Sequence, residues 1–167
     1  YYMVPCDGTF ADIHRIVKAR SRGIGPVAMA DSLISWRVFF DIFRAIPGKR
    51  LLIVDTCHSQ AIAGTFDMYS LAKRSASSSF ALMTASKDNE ASQEFPAIRH
   101  GLFTYALLKG LSGEGDRDSD RQIVLSELYR YTYDFVSRHH NAVVGTQTPQ
   151  MESPEELMEM ILGINVE

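Results

Sequence analysis

Leu51-Leu52-Ile53-Val54-Asp55-Thr56-Cys57-His58-Ser59 decides how the rest of the chain is read. Four apolar residues in a row follow the turn-forming Pro47-Gly48 and the basic pair Lys49-Arg50. A run this short and continuous predicts a strand buried on both faces, as in the centre of a parallel sheet. The apolar run then stops, and acid, hydroxyl, thiol and imidazole follow at once. In open α/β sheets the ligand crevice lies at the carboxyl ends of the strands. A free cysteine is more often a small buried hydrophobe, but a thiol delivered to that end is placed for chemistry.

The flanking segments predict the elements around this strand. Tyr1-Tyr2-Met3-Val4-Pro5 reads as a strand end running into the turn cluster Cys6-Asp7-Gly8. Asp31-Ser32 can cap a helix whose Trp36, Phe39, Phe40 and Phe43 fall at i, i+3, i+4 and i+7, with Pro47-Gly48 as its stop. Residues 59–78 are small and polar and predict a long loop. Phe80-Ala81-Leu82-Met83-Thr84-Ala85 predicts a second buried strand, with polar Ser86-Lys87-Asp88-Asn89-Glu90 lining the loop at its end. Helical stripes run through Leu102, Phe103, Ala106, Leu107 and Leu111, and through Leu125, Leu128, Tyr129, Thr132, Phe135 and Val136. Ser153-Pro154-Glu155-Glu156 has the form of a helix start, with a capping Ser and Pro at the first position. Strands alternating with helices predict an α/β fold.

At 167 residues the chain suits a single domain and can bury roughly 70% of its unfolded surface. Apolar content of 46% and 22% charged residues are values of a globular chain. A net charge of −3 argues against a nucleic-acid binder, which carries a basic face. No apolar run approaches the roughly 20 residues of a membrane span. The two cysteines, Cys6 and Cys57, make no disulfide framework, so a reducing, cytoplasmic setting is expected.

Asp55-Thr56-Cys57-His58-Ser59 resembles the nucleophile motif of the caspase-like cysteine peptidases, the clan of caspases, metacaspases and paracaspases. The metacaspase and bacterial form, Asp-x-Cys-His-Ser-Gly, is the most similar, although Gln60 stands where that form has Gly. Tyr1-Tyr2-Met3-Val4-Pro5-Cys6-Asp7 is similar to the Tyr-x-Leu-x-Pro-x-Asp strand of bacterial caspase-like proteins. Residues 81–86 with Asp88, Glu90 and Ser92 resemble their next core strand and its acidic loop. Gly101-Leu102-Phe103-Thr104-Tyr105-Ala106-Leu107 resembles the helix start after it.

The resemblance implies a three-layer α/β/α caspase-like sandwich with a mostly parallel central sheet, residues 1–167 forming one domain's C-terminal two-thirds. It implies a cysteine endopeptidase acting on protein substrates, in which Cys57 is the nucleophile. A thiol of pKa about 8.5 needs an imidazole or another positive group beside it for activation. The family's general base is a His in a Ser-Gly-His-Gly loop just before the first strand, so here it is expected upstream of Tyr1, on the remaining part of the domain. None of His14, His58, His100, His139 or His140 lies in such a motif.

Asp55 lies two residues before Cys57, on the same face of a strand. In metacaspases and paracaspases this position holds the acid that binds an Arg or Lys side chain before the cut. The alternative is a buried Asp satisfied by backbone N–H groups. Glu90 falls where paracaspases carry a second such acid, against an ordinary solvated loop Glu. Lys73-Arg74 lies in the loop that many relatives cut in themselves, so self-processing there is expected; an exposed basic pair is the plainer reading.

Asp116, Asp118, Asp120 and Glu127 occupy positions 1, 3, 5 and 12 of an EF-hand loop, with Ile123 at position 8. The spacing converges oxygens on a calcium-sized ion. Position 6 is Arg121 rather than Gly, and Glu127 can equally begin the next helix. The chemistry itself needs no cofactor; calcium is the ion this loop would take. The rival to a regulatory or self-processing protease is a non-catalytic module of the same fold, with a small-molecule cysteine hydrolase a more distant third.

Overall fold

The computed structural model describes residues 2–3, 34–35, 42–43, 45–55, 80–87, 90–95, 100–141 and 145–164. The chain divides into two compact units, Tyr1–Pro47 and Gly48–Glu167. In the first, β1 (Tyr2–Met3) pairs antiparallel with β2 (Ile34–Ser35), Tyr2 opposite Ser35 and Met3 opposite Ile34. This corrects the helix expected to begin at Asp31-Ser32. Ile34 is β-branched and suits a paired strand; the correction concerns the expected start alone, since Trp36, Phe39 and Phe40 lie outside the described residues. Residues 42, 43 and 45 are helical, and Ile46 N–H donates to Phe43 O at 3.3 Å just before Pro47.

The second unit runs β3 (Arg50–Val54), β4 (Phe80–Thr84), the hairpin strands β5 (Glu94–Phe95) and β6 (His100–Gly101), then α1 (Leu102–Lys109). A wide π turn (Gly110–Glu114) leads to β7 (Gln122–Val124) and α2 (Leu125–His139). β8 (Gln150–Glu152), the single-turn α3 (Glu155–Met158) and β9 (Ile161–Ile164) follow.

β3 and β4 pair in parallel, from Arg50 opposite Phe80 to Val54 opposite Thr84, and β8 joins β4 from the other side, antiparallel. The fold is α/β, as expected. Among the described residues the sheet is ordered β3-β4-β8, with one parallel and one antiparallel pair. The central strand β4 buries Ala81, Leu82, Met83 and Thr84, which is what an unbroken apolar run in an inner strand requires. β3 falls short of burial on both faces. Val54 is buried, but Leu51 and Leu52 are only half-buried and Ile53 is 41% exposed. Among the described residues β3 has one strand neighbour, so nothing described covers its second edge.

One core holds this unit together. Ala81, Met83 and Ala85 of the sheet side pack with Leu102, Phe103, Ala106 and Leu107 of α1, Leu125, Leu128 and Val136 of α2, and Leu157 of α3. Both helical stripes read from the sequence are therefore core faces, except at Leu111, which is 41% exposed. The π turn shifts the phase after Lys109 and rotates Leu111 off the buried face. The two helices come close at Gly110, where a Cβ would lie 2.7 Å from Leu128 Cδ1. The helix start at residues 153–156 is corrected in detail: Pro154 is the cap residue, and Ser153 Oγ donates to Pro154 O at 3.0 Å instead of capping. The strands β7, β8 and β9 carry too few residues to leave a pattern in the sequence.

Candidate active site

The site is built at the carboxyl ends of β3 and β4. Ala85 N–H donates to Val54 O at 3.0 Å, carrying the parallel ladder past both strands and fixing the backbone that presents Asp55. Asp55 is exposed, and its Oδ2 accepts a 2.5 Å hydrogen bond from Thr104 Oγ1 in the first turn of α1. Gly101, the residue that caps α1, lies against the same oxygen: a Cβ built there would be 3.0 Å from Oδ2. Among the described residues Asp55 is thus an exposed carboxylate held by one hydroxyl, with no described backbone N–H donating to it. Cys57, with Thr56, His58, Ser59 and Gln60, lies outside the described residues, as do Lys73 and Arg74, Cys6 and His14.

Glu90 has a different environment. Its Oε1 accepts from Thr148 Oγ1 at 2.9 Å and Thr146 Oγ1 at 3.1 Å; its Oε2 accepts from Thr148 N at 2.6 Å and Lys87 N at 3.3 Å. Burial pushes this carboxyl's pKa up, but the bonds from Thr148, Lys87 and Thr146 outweigh it and leave the group below its ordinary value. Glu90 therefore ties the loop after β4 to residues 146–148.

Gln93 and Gln147 complete that tie, and nothing in the sequence singled them out. Gln147 is 1% exposed; its Oε1 accepts from Gln93 N at 2.9 Å and its Nε2 donates to Ala85 O at 3.1 Å. Gln93 Nε2 donates to Gly145 O at 2.8 Å, its Oε1 accepts from Asn141 N at 2.7 Å, and its backbone carbonyl accepts from Leu102 N at 2.8 Å. This last bond satisfies one of the helix-start donors of α1. The same network thereby sets α1, and with it Gly101 and Thr104, against the end of β3.

In the acidic loop, Asp116, Asp118 and Asp120 each bring a carboxylate oxygen within 4.8 Å of the others. Position 6 makes its sharp turn without glycine, Arg121 taking φ 70°, and Ser119 is also left-handed at φ 63°. Glu127 is not in the group. Its Oε1 accepts from Arg117 N at 3.0 Å and its Oε2 from Val124 N at 3.2 Å, so it caps the start of α2. Three of the four expected ligands converge and the fourth is engaged locally. Asp116 Oδ1 is buried and has no hydrogen-bond partner among the described residues, an oxygen that suits a hard cation.

A groove of about 850 Å³ lies over α2, lined by Arg117, Tyr129, Arg130, Tyr133, Met151 and Met158. Neither Asp55 nor Glu90 lines it. His139 stacks on Phe135 at 4.1 Å between ring centres and is an exposed residue of α2. Among the described residues no helix is long and apolar enough to cross a membrane.

Comparison with known families places residues 2–158 within the model of the caspase domain. No curated protein matches the sequence.

Proposed function

Since the chain belongs to the caspase domain family of peptidases, we propose that it is a cysteine endopeptidase cutting after Arg or Lys through an acyl-cysteine intermediate. One observation carries the specificity: the Asp55 carboxylate stands exposed at the carboxyl end of a parallel strand, two residues before Cys57. A carboxylate in that place meets a guanidinium or ammonium by charge-assisted hydrogen bonding and gives an acidic side chain only repulsion.

In this reading the Cys57 thiolate attacks the carbonyl carbon of the basic residue itself, and the backbone N–H of Cys57 is one donor to the oxyanion. The proton taken from the thiol by a histidine upstream of Tyr1 passes to the amine as the C–N bond breaks. Water, deprotonated by the same imidazole, then cleaves the thioester and restores the thiol. Glu90 adds a second negative charge near this end of the sheet and holds residues 146–148 beside it. Switch-like cutting of a few proteins, including itself at Lys73-Arg74, is the role proposed, in the cytoplasm and in a bacterial metacaspase-like setting.

The test pairs fluorogenic peptides ending in Arg and in Asp, with the full parent polypeptide as enzyme. Cleavage after Arg that vanishes in Cys57→Ala is expected. Cleavage after Asp would sink the specificity and leave the family standing. Silence toward both, with and without calcium, would favour the non-catalytic module, for which Gln60 in place of the family's Gly already speaks.

A further inference from the structure

We propose that Thr104 is a positioning residue for Asp55, its hydroxyl fixing the carboxylate that reads the basic side chain, and that Gly101 is present to leave that carboxylate its space. The inference rests on the reading of Asp55 as the acid that binds Arg or Lys.

Asp55 sits on an exposed strand end, where a carboxylate is free to rotate. Freezing such a group when a substrate arrives costs conformational entropy, and a partner that holds it beforehand removes that cost. Thr104 is the third residue of α1, where a threonine hydroxyl commonly turns back to a carbonyl of the preceding turn. Here it reaches Asp55 Oδ2 instead, at 2.5 Å. Its own frame is rigid, because Leu102, Phe103, Ala106 and Leu107 of the same helix are buried in the core. Among the described residues Thr104 alone donates to this carboxylate, and none donates to Oδ1.

Gly101 supplies an independent observation. Its backbone, at φ −62° and ψ 145°, is one that any residue adopts, so no turn demands glycine there. What a side chain would meet is Asp55 itself, with Oδ2 at 3.0 Å from the Cβ and Cγ at 3.7 Å. The close approach, not the conformation, explains this glycine. The start of α1 also favours an anion electrostatically.

The test needs no turnover. In the full parent polypeptide carrying Cys57→Ala, calorimetry compares an Arg peptide with its citrulline counterpart, which has nearly the same shape and no charge. Thr104→Val should shrink the Arg preference about fivefold, Thr104→Ser should keep it, and Gly101→Ala should shrink it as Thr104→Val does. An unchanged ratio in Thr104→Val, where Asp55→Asn abolishes it, overturns the positioning role alone. An unchanged ratio in Asp55→Asn, or no Arg preference to begin with, removes the reading of Asp55 and this inference together. If Thr104→Val does not fold by circular dichroism, Gly101→Ala decides by the same ratio.

Discussion

Two carboxylates follow two neighbouring parallel strands, Asp55 after β3 and Glu90 in the loop beyond β4, and the fold treats them in opposite ways. Asp55 is exposed and, among the described residues, has a single hydroxyl donor. Glu90 is partly buried, with four donors from Lys87, Thr146 and Thr148. A carboxylate offers about four lone-pair positions. Glu90 has filled its own with fixed protein groups and gains little from a ligand, whereas the described residues leave Asp55 most of its capacity. The same chemistry fastens one loop at Glu90 and, on the proposed reading, serves recognition at Asp55.

Removing the charges should separate the two roles. Asp55→Asn should lower kcat/KM on an Arg substrate roughly 100-fold, about 2.7 kcal/mol, while leaving the melting temperature nearly unchanged. A large loss of stability with little change in Arg preference would break the comparison from the Asp55 side.

Glu90→Gln should do the reverse. An amide NH2 turned toward Thr148 N and Lys87 N leaves both without an acceptor, and turned toward the Thr146 and Thr148 hydroxyls it makes them accept instead of donate. Either way the cost is about 1.5 kcal/mol of stability for a partly solvated site. Arg preference should fall far less than in Asp55→Asn. The acid dependence sharpens the point. The folded-state pKa of Glu90 is depressed below its ordinary 4.5, so its stabilisation is complete above that value. It is lost as the pH falls through the depressed value. Melting temperature followed downward from pH 5 should decline less steeply in Glu90→Gln; an identical slope would show that the four bonds contribute nothing.

The acidic loop at Asp116, Asp118 and Asp120 is the third place where carboxylates gather, and the smallest effect is expected there. If the loop takes calcium, an ion at about five times its dissociation constant should add about 1 kcal/mol of stability. The gain should disappear in Asp118→Asn, and Glu127→Gln should weaken α2 with or without the ion. A calorimetric titration flat to millimolar calcium would remove the site. Both oxygens of Glu127 are already occupied by Arg117 N and Val124 N, which places this residue with Glu90 rather than with Asp55.

Much of the fold was legible because the signal was periodic. The buried run of β4, the apolar stripes of α1 and α2, and the polar group after Val54 each follow from residue order alone. Reading failed where a partner far along the chain decides. Ile34 and Ser35 fit a helical start by spacing but pair with Met3 and Tyr2. Ile53 belongs to an apolar run and is still exposed, since burial is a property of neighbouring elements. Gln93 and Gln147 look like loop residues, yet a hydrogen bond across 54 positions puts them in the interior.

Sequence by itself determined the family, the α/β class, and an acid placed two residues before a cysteine at a strand end. It could not tell how many donors Asp55 and Glu90 would each meet, because both are acids in polar segments after apolar strands. Tertiary structure decided that difference. Backbone periodicity is local and is written into the order of residues, but the number of donors facing a carboxylate depends on which distant segments fold against it. Thr104 and Gly101 came to Asp55, and residues 146–148 came to Glu90.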